Sequence, residues 1–485
     1  MIAADQFRLL GQTVDLGSVG GWQAPQLSYL LRYNLHYFDD LNAAGCGQRR
    51  DRHAPLIERW VAENPPAAGV GWEPYPTSLR MVNWVKWALA GNELPNTAVH
   101  SLAIQARQMR RRMEHHLLGN HLFSNAKALV HAGCYFDGPE ARSWRTTGLA
   151  VIARELNEQI LTDGGQFERS PMYHALAFED LLDLLNLARV FPSCIQPAVA
   201  KAWAEVASRM WRWLRVMCHP DGEVSHFNDS VRGVAPAPRE LDAYAQRLGL
   251  AEPAPLQSVE HLPESGYIRL QCGEAVLLID VAAIGPDYLP GHAHADTLSF
   301  ELSMGKERVL VNSGIDRYGV DAERLRQRGT AAHNTVSVNG LDSSEVWSGF
   351  RVARRARPEA LSVTQDGEAV SVECAHGGYR RLPGRVTHHR RWRLSHEGLE
   401  VRDRLEGDFA GAQAHYHLAP AVEAGPNDGL MIGPQRVARW EVSGGQADWV
   451  QSRYHPQFGL ALPSRQLTVA IDSQSRSATL HLRWP

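Results

Sequence analysis

At 485 residues the chain exceeds what one hydrophobic core normally organises, so two or three domains are expected. With 50 basic against 53 acidic side chains, a formal charge of −3 and 44% apolar residues, the composition is that of an ordinary folded protein. It has no global positive field, which excludes bulk attraction to nucleic acid or another polyanion. No apolar run reaches the ~18 residues that a membrane span needs, so no such span is expected.

The N-terminal residues MIAADQFRLLGQ lack the basic and apolar regions of an export signal. Apolar residues then recur at three- and four-residue steps over 78–91, 99–119, 124–136, 175–191 and 197–218, which predicts a helical first half built of stacked helical hairpins. Around residue 250 the texture changes. A Pro-containing stretch over 251–265 reads as a linker between a helical domain, 1–250, and a β domain, 266–485. The second half carries short alternating or β-branched runs such as GYIRLQC, AVLLIDVA, TLSFELSM, RVTHHRRWRLS and GLEVRDRLEG. Turn signals at Asn339-Gly340, Asp366-Gly367 and Asn427-Asp428-Gly429 punctuate it. This pattern predicts an antiparallel β-sandwich, with a ligand cleft expected where the two domains meet.

Local basic clusters at 48–52, 107–112, 351–357 and 388–393 are each read alone as a solvated face. The six cysteines, Cys46, Cys134, Cys194, Cys218, Cys272 and Cys374, show no CxxC spacing and suggest neither a zinc knuckle nor a disulfide scaffold. Trp72, Trp84 and Trp87 are expected in the core.

Polar and aromatic side chains concentrate in four segments of the helical half: RYNLHYF (32–38), WEPYPTSLR (72–80), GNHLFSN (119–125) and FERSPMYH (167–174). The last two stand at helix entrances, where loop residues can converge on a ligand. Glu73, Tyr75 and Arg80 are read as lining a sugar-binding groove, since planar rings suit sugars and a guanidinium suits carboxylates. Tyr37, Asn125, Arg169 and His174 join them as substrate-binding candidates. In GHAHAD (291–296), an extended backbone would put His292 and His294 on one face, an arrangement suited to metal ligation or acid–base work. His333 follows in RGTAAHNT, with Asn312 and Tyr318 between. Glu345, Trp347, Arg351 and Arg354 form a further dense stretch with no assigned role.

In combination and order, GNHLFSNAKAL, ERSPMYHALAFED, GHAHADTLSFEL, VLVNSG and RGTAAHNTV resemble the heparinase II/III superfamily of polysaccharide lyases. The resemblance implies an α+β multidomain fold, with an N-terminal incomplete (α/α) toroid followed by a C-terminal antiparallel β-sandwich. It also implies β-elimination on an acidic, uronic-acid-containing polysaccharide, in the context of bacterial exopolysaccharide metabolism. The compartment it implies is the periplasm, although the N-terminal residues carry no export signal. Residue by residue, it makes Asn120 the carboxylate-binding amide with His121 beside it, Tyr173 the base, acid or both, His292 the catalytic imidazole, and Tyr318 a second tyrosine. A phenol has an ordinary pKa of about 10, so a tyrosinate needs nearby positive charge; Arg169 and the histidines are the candidates. His294, Asn312 and His333 fall on the family's metal pattern, with Asn312 where that pattern has Asp. A neutral amide is a poorer zinc ligand, so zinc is lost, weakened or completed by Asp316 or Asp296. Two other readings stand beside the lyase. A glycoside hydrolase would need two carboxylates flanking the scissile bond, with Glu73, Glu168 and Asp180 available. A non-catalytic polysaccharide-binding protein is the other.

Overall fold

The computed structural model describes residues 1–3, 5–425, 428–433 and 436–484. It divides into two compact units, one of residues 1–159 and 180–204, the other of residues 160–179 and 205–485. Among the described residues no helix is long and apolar enough to cross a membrane.

The first unit is helical. Its principal helices are Arg50–Glu63, Pro74–Leu89, Asn96–Arg111, Gly119–Tyr135 and Pro139–Gln159. The last two form a helical hairpin around a three-residue connection that ends on Gly138, whose φ of +97° favours glycine. Two further glycines let the pair approach. A Cβ on Gly133 would lie 2.6 Å from the Arg145 backbone nitrogen, and one on Gly148 would lie 2.6 Å from the Ala126 carbonyl. Trp72, Trp84 and Trp87 are buried in this core, as expected, and Trp22 and Trp60 are buried with them. Lys127 is buried as well. Its ammonium meets Asp180 and Asp183 at 2.7 Å each, and Lys86 meets Asp183 at 3.0 Å. Buried charge persists only when paired in this way.

The second unit carries helical segments, Pro238–Arg247 among them, and a stack of antiparallel sheets. A five-stranded meander runs in chain order through Val259–Leu262, Tyr267–Cys272, Ala275–Asp280, Phe300–Met304 and Glu307–Leu310. An eight-stranded and a four-stranded sheet follow, and one continuous apolar core draws on all three. Helical structure followed by antiparallel sheets is the fold class predicted from hydrophobic periodicity. Asn339 (φ +54°) and Gly340 (φ +68°) make the predicted tight turn, closed by Leu341 N–H to the Val338 carbonyl at 3.0 Å. In the turn predicted at 427–429, Asn427 lies outside the described residues. The basic cluster 388–393 differs from the solvated face expected of it. It lies in the strand Thr387–Ser395, whose inward residues His388 and Arg390 are buried against Asp403 at 2.7 Å each.

Candidate active site

Within the second unit, three residues far apart in sequence meet. The Tyr173 and His292 rings stack with centroids 3.8 Å apart, and the Tyr173 and Tyr318 hydroxyls are 2.9 Å apart. Tyr173 stands in the first turn of the helix Pro171–Val190 and Tyr318 in the loop before Ala322–Arg328. Two left-handed residues set the approach. Arg169 (φ +61°) and Asn228 (φ +56°) are non-glycine positions of strained backbone. Asn228 Nδ2 donates to the Arg169 carbonyl at 3.1 Å, and Tyr267 donates to the same oxygen at 2.7 Å. Ser170 donates to the Asp229 carbonyl at 2.6 Å.

His292 carries a partner that the sequence reading did not place there. Its Nδ1 lies 2.5 Å from the buried Glu168 carboxylate; Gln166 Nε2 donates to that carboxylate at 3.3 Å, and Gln166 Oε1 accepts from the Glu168 backbone N–H at 3.0 Å. An ionised carboxylate accepts only, so this contact puts the proton on Nδ1 and leaves Nε2 as the reactive nitrogen.

The positive charge near the phenols comes from Arg324, not Arg169. The Arg169 guanidinium is tied to the carbonyls of Ala283 and Glu264. Arg324 is fully buried, with its guanidinium 5.0 Å from the Tyr318 ring centroid, and its charge is coupled to both Tyr318 and Tyr173. It forms a bidentate pair with Asp229 at 2.5 and 2.7 Å. Burial pushes Tyr318 well above the ordinary phenol range, and the Asp229 charge adds to this, so Tyr318 keeps its proton. Either hydroxyl can donate while both phenols are neutral, and Tyr318 becomes the donor once the Tyr173 oxygen carries negative charge.

His292 and His294 do not share one face, because the segment between them is irregular. His294 turns to Asp229, with Nε2 to Oδ1 at 2.7 Å, and its Nδ1 lies 3.0 Å from His333 Nε2. The far nitrogen of His333, Nδ1, reaches the Gly329 carbonyl at 2.8 Å. Both outer nitrogens face acceptors and so carry the protons. Burial lowers both imidazoles, His294 to about 4, and keeps them neutral. Two lone pairs thus confront each other across 3.0 Å, an arrangement relieved by a cation between them. Among the described residues Asp296 completes the group, with the three ligand atoms within 4.8 Å of one another. The donor set is a fit for zinc, and the acceptors behind each imidazole are those that orient metal-binding histidines. Asp296, not Asn312, supplies the carboxylate. Asn312 Oδ1 instead accepts the Asn334 amide at 3.2 Å, and Asp316 is taken by Arg317 and Gln327.

In the helical unit, Asn120 and His121 lie in the first turn of Gly119–Tyr135, after a strained Leu118 (φ +59°) that offers no capping side chain. His121 stacks on Tyr75 with centroids 4.3 Å apart, its Nδ1 is 3.2 Å from Glu114, and Asn120 Nδ2 reaches the Tyr75 hydroxyl at 3.5 Å. Tyr37 packs edge-on against Tyr75. The Glu73 carboxylate accepts from Tyr29 and Tyr33.

Three expected substrate contacts prove to be core residues. Arg80 is fully buried 3.8 Å from the Trp60 ring centroid and donates to Gln105, Thr77 and the His36 carbonyl. Asn125 is bonded to Glu114 and Ser78. His174 uses both nitrogens internally, on Gln166 and the Met210 carbonyl, under Trp213. The carboxylates that a hydrolase would use are likewise engaged: Glu73 by tyrosines, Glu168 by His292 and Asp180 by Lys127.

Comparison with known proteins bears on the family and the fold. Residues 56–246 match the model of the heparinase II/III N-terminus, and residues 254–483 match that of the heparinase II/III-like C-terminal region. A heparin-sulfate lyase of Bacteroides stercoris is 27% identical over 268 residues, 51% of this chain and 38% of the relative. One from Pedobacter heparinus is 24% identical over 249 residues, 46% of this chain and 36% of the relative. The chain thus aligns with little more than a third of each. In fold, a crystal structure of heparinase III superposes with a TM-score of 0.73 at 18% identity, over 93% of this chain and 76% of that one. The Streptomyces coelicolor chondroitin AC lyase superposes with a TM-score of 0.54 at 10% identity, over 95% and 76%. The two family models between them take in most of the sequence, from residue 56 to residue 483, and the chain belongs to the heparinase II/III-like family.

Proposed function

We propose that the chain is a polysaccharide lyase that cleaves a uronic-acid-containing acidic polysaccharide by β-elimination. The observation that carries the reading is the stacked Tyr173–His292 pair, with Tyr318 hydrogen-bonded to the one and Glu168 to the other. In the reaction a base takes the C5 proton of the uronate, the C4–C5 double bond forms, the C4–O bond breaks, and an acid protonates the departing oxygen. Tyr173 and His292 are the acid–base couple. The face of the sugar that carries the C5 proton decides which of them acts as base. The Tyr318 hydroxyl and the Arg324 charge stabilise negative charge on the Tyr173 oxygen.

The carboxylate beside C5 must be neutralised before a further negative charge can develop there. That role is assigned to Asn120 and His121. The unprotected first-turn amides of a 17-residue helix favour an anion at the same place. Tyr75, whose ring stacks on His121, is assigned to sugar contact, with Tyr37 behind it.

Glu168 acts through His292 as a positioning residue. Glu168→Gln keeps the side chain's size but offers an amide N–H to Nδ1, favouring the wrong tautomer. The turnover number is expected to fall ~10²- to 10³-fold with KM within about threefold, by analogy with other carboxylate–imidazole couples. A parent-like turnover number in steady-state kinetics would remove Glu168 from the mechanism.

His294, Asp296 and His333 are proposed to hold zinc, which, when bound, ties together the two segments that flank Tyr318 and takes no step in the elimination. Chelation, or His333→Ala, is expected to strip about one equivalent of metal and lower the melting temperature by ~5 °C. Elemental analysis beside calorimetry reads both. A metal-free protein whose melting is indifferent to chelator and zinc contradicts the assignment.

The functional test is ultraviolet absorbance of unsaturated product on a panel of alginates, glycosaminoglycans and bacterial polyuronates. Cleavage that yields reducing ends without absorbance means hydrolysis.

A further inference from the structure

Beyond the reacting centre, we infer that the outer face of the hairpin Val346–Val352 is a binding subsite for a neighbouring acidic sugar of the same polymer, built from Trp347 and Arg351. This assignment rests on the polysaccharide reading above, but it concerns residues to which that reading gives no role.

The hairpin pairs Trp347 with Arg351 and Val346 with Val352. Directly opposed residues of a ladder share a face, and successive residues alternate. The valines are buried in a small cluster with Ile284, Ala293 and Ala295, the two alanines being interleaved with His292 and His294. The outer pair faces solvent, with Trp347 54% exposed and Arg351 exposed beside it.

Two-residue strands do not hold themselves together, and this hairpin is fixed from below. Arg324 Nε donates to the Gly349 carbonyl at 3.2 Å. Arg328 donates to the carbonyls of Ser348 at 3.3 Å and Arg351 at 3.4 Å, and both arginines are fully buried. Gly349 is required at the tip, because a Cβ there would lie 2.3 Å from the Gly319 carbonyl oxygen, next to Tyr318. Phe350 completes the junction, its ring 5.3 Å from that of Tyr318 and 6.2 Å from that of His292. The Trp347–Arg351 face is therefore held in place and begins one residue from a ring that packs against Tyr318 and His292.

Its chemistry selects the occupant. An exposed indole offers a flat apolar surface to the C–H face of a sugar ring. An adjacent guanidinium offers a planar fork to a carboxylate or sulfate. The neighbouring arginines already have partners, Arg354 with Glu345 at 2.9 Å and Arg355 with Asp287 at 2.7 Å. Among the described residues no ion pair involves Arg351.

The test is binding of alginate and of heparan sulfate to the full chain carrying Tyr173→Phe, so that the polymer stays intact, with dextran as neutral control. Trp347→Ala and Arg351→Ala are each expected to weaken binding of the preferred acidic polymer ~10-fold, and Arg351→Ala to flatten its salt dependence. Arg351→Lys should fall between, and Val450→Ala, an exposed apolar residue on another sheet, should bind like the parent. Dissociation constants for both alanine variants within twofold of the parent overturn the subsite, as does the absence of binding to either acidic polymer. If binding weakens as expected but the parent releases no unsaturated product, the subsite stands and the lyase reading fails. If product forms while the variants bind like the parent, the reverse holds.

Discussion

Tyr173→Phe is expected to reduce formation of unsaturated product at least ~10³-fold while leaving polymer binding within about threefold of the parent. The substitution deletes one oxygen. The ring stacked on His292 at 3.8 Å is retained, so the pocket keeps its shape. What disappears is the atom proposed to exchange a proton with the sugar, together with its 2.9 Å hydrogen bond with Tyr318. Tyr318 cannot take over as a base, because burial keeps its phenol protonated. A companion, Tyr318→Phe, removes the supporting hydroxyl but not the reacting oxygen and should cost less, ~10- to 100-fold in turnover number. If the two variants lost activity equally, the division of roles between reacting and supporting hydroxyl would be wrong.

Asp229→Asn is expected to cause the largest loss of stability of any single substitution in the site, about 3–5 kcal/mol and a fall in melting temperature of ~10 °C. Asp229 is fully buried and carries two loads, both Arg324 guanidinium nitrogens and the His294 imidazole. Burial by itself would raise its carboxyl. The charge of Arg324 and the hydrogen bond from His294 outweigh burial and hold the carboxyl well below the ordinary range. A depressed carboxylate contributes stability that is complete above its unfolded pKa of about 4 and is lost as pH falls through the lower folded value. Its contribution is therefore intact through the neutral and mildly acidic range. Asparagine leaves Arg324 as a buried cation without its counter-charge and weakens the orientation of His294. Thermal unfolding within 2 °C of the parent would show that Arg324 finds another partner and that Asp229 is not the hub described.

The sequence was informative where local pattern and physical role coincide. Hydrophobic spacing predicted the helical half and the β half, and Asn339-Gly340 predicted its turn because two successive positive φ values suit those residues. Tyr173, His292 and Tyr318, separated by up to 145 positions, do converge. The helix Pro139–Gln159 escaped prediction because Arg142, Arg145, Thr146, Thr147 and Gly148 interrupt its apolar stripe. Arg80, Asn125 and His174 were readable as special polar residues but not as core ones, since a buried polar group and a ligand-facing one look alike until their partners are placed.

The misses share one cause, long-range pairing. Glu168 stood in a segment already singled out, yet its partner lies 124 positions away. Arg324 and Arg328, in the charged run AERLRQR, have the texture of a solvated helix face. They are fully buried at i, i+4 because Asp229, 95 residues earlier, and several carbonyls receive them. For the metal group, the expected third ligand was Asn312, while Asp296, two residues from His294, stands close enough to serve.

The most direct test of the account is the time course of ultraviolet absorbance when the full chain and its Tyr173→Phe variant meet alginates, glycosaminoglycans and bacterial polyuronates. The account predicts a rise on at least one uronate polymer with the parent chain and essentially none with the variant, which still binds that polymer. An equal rise with both, or reducing ends released without absorbance, would contradict it.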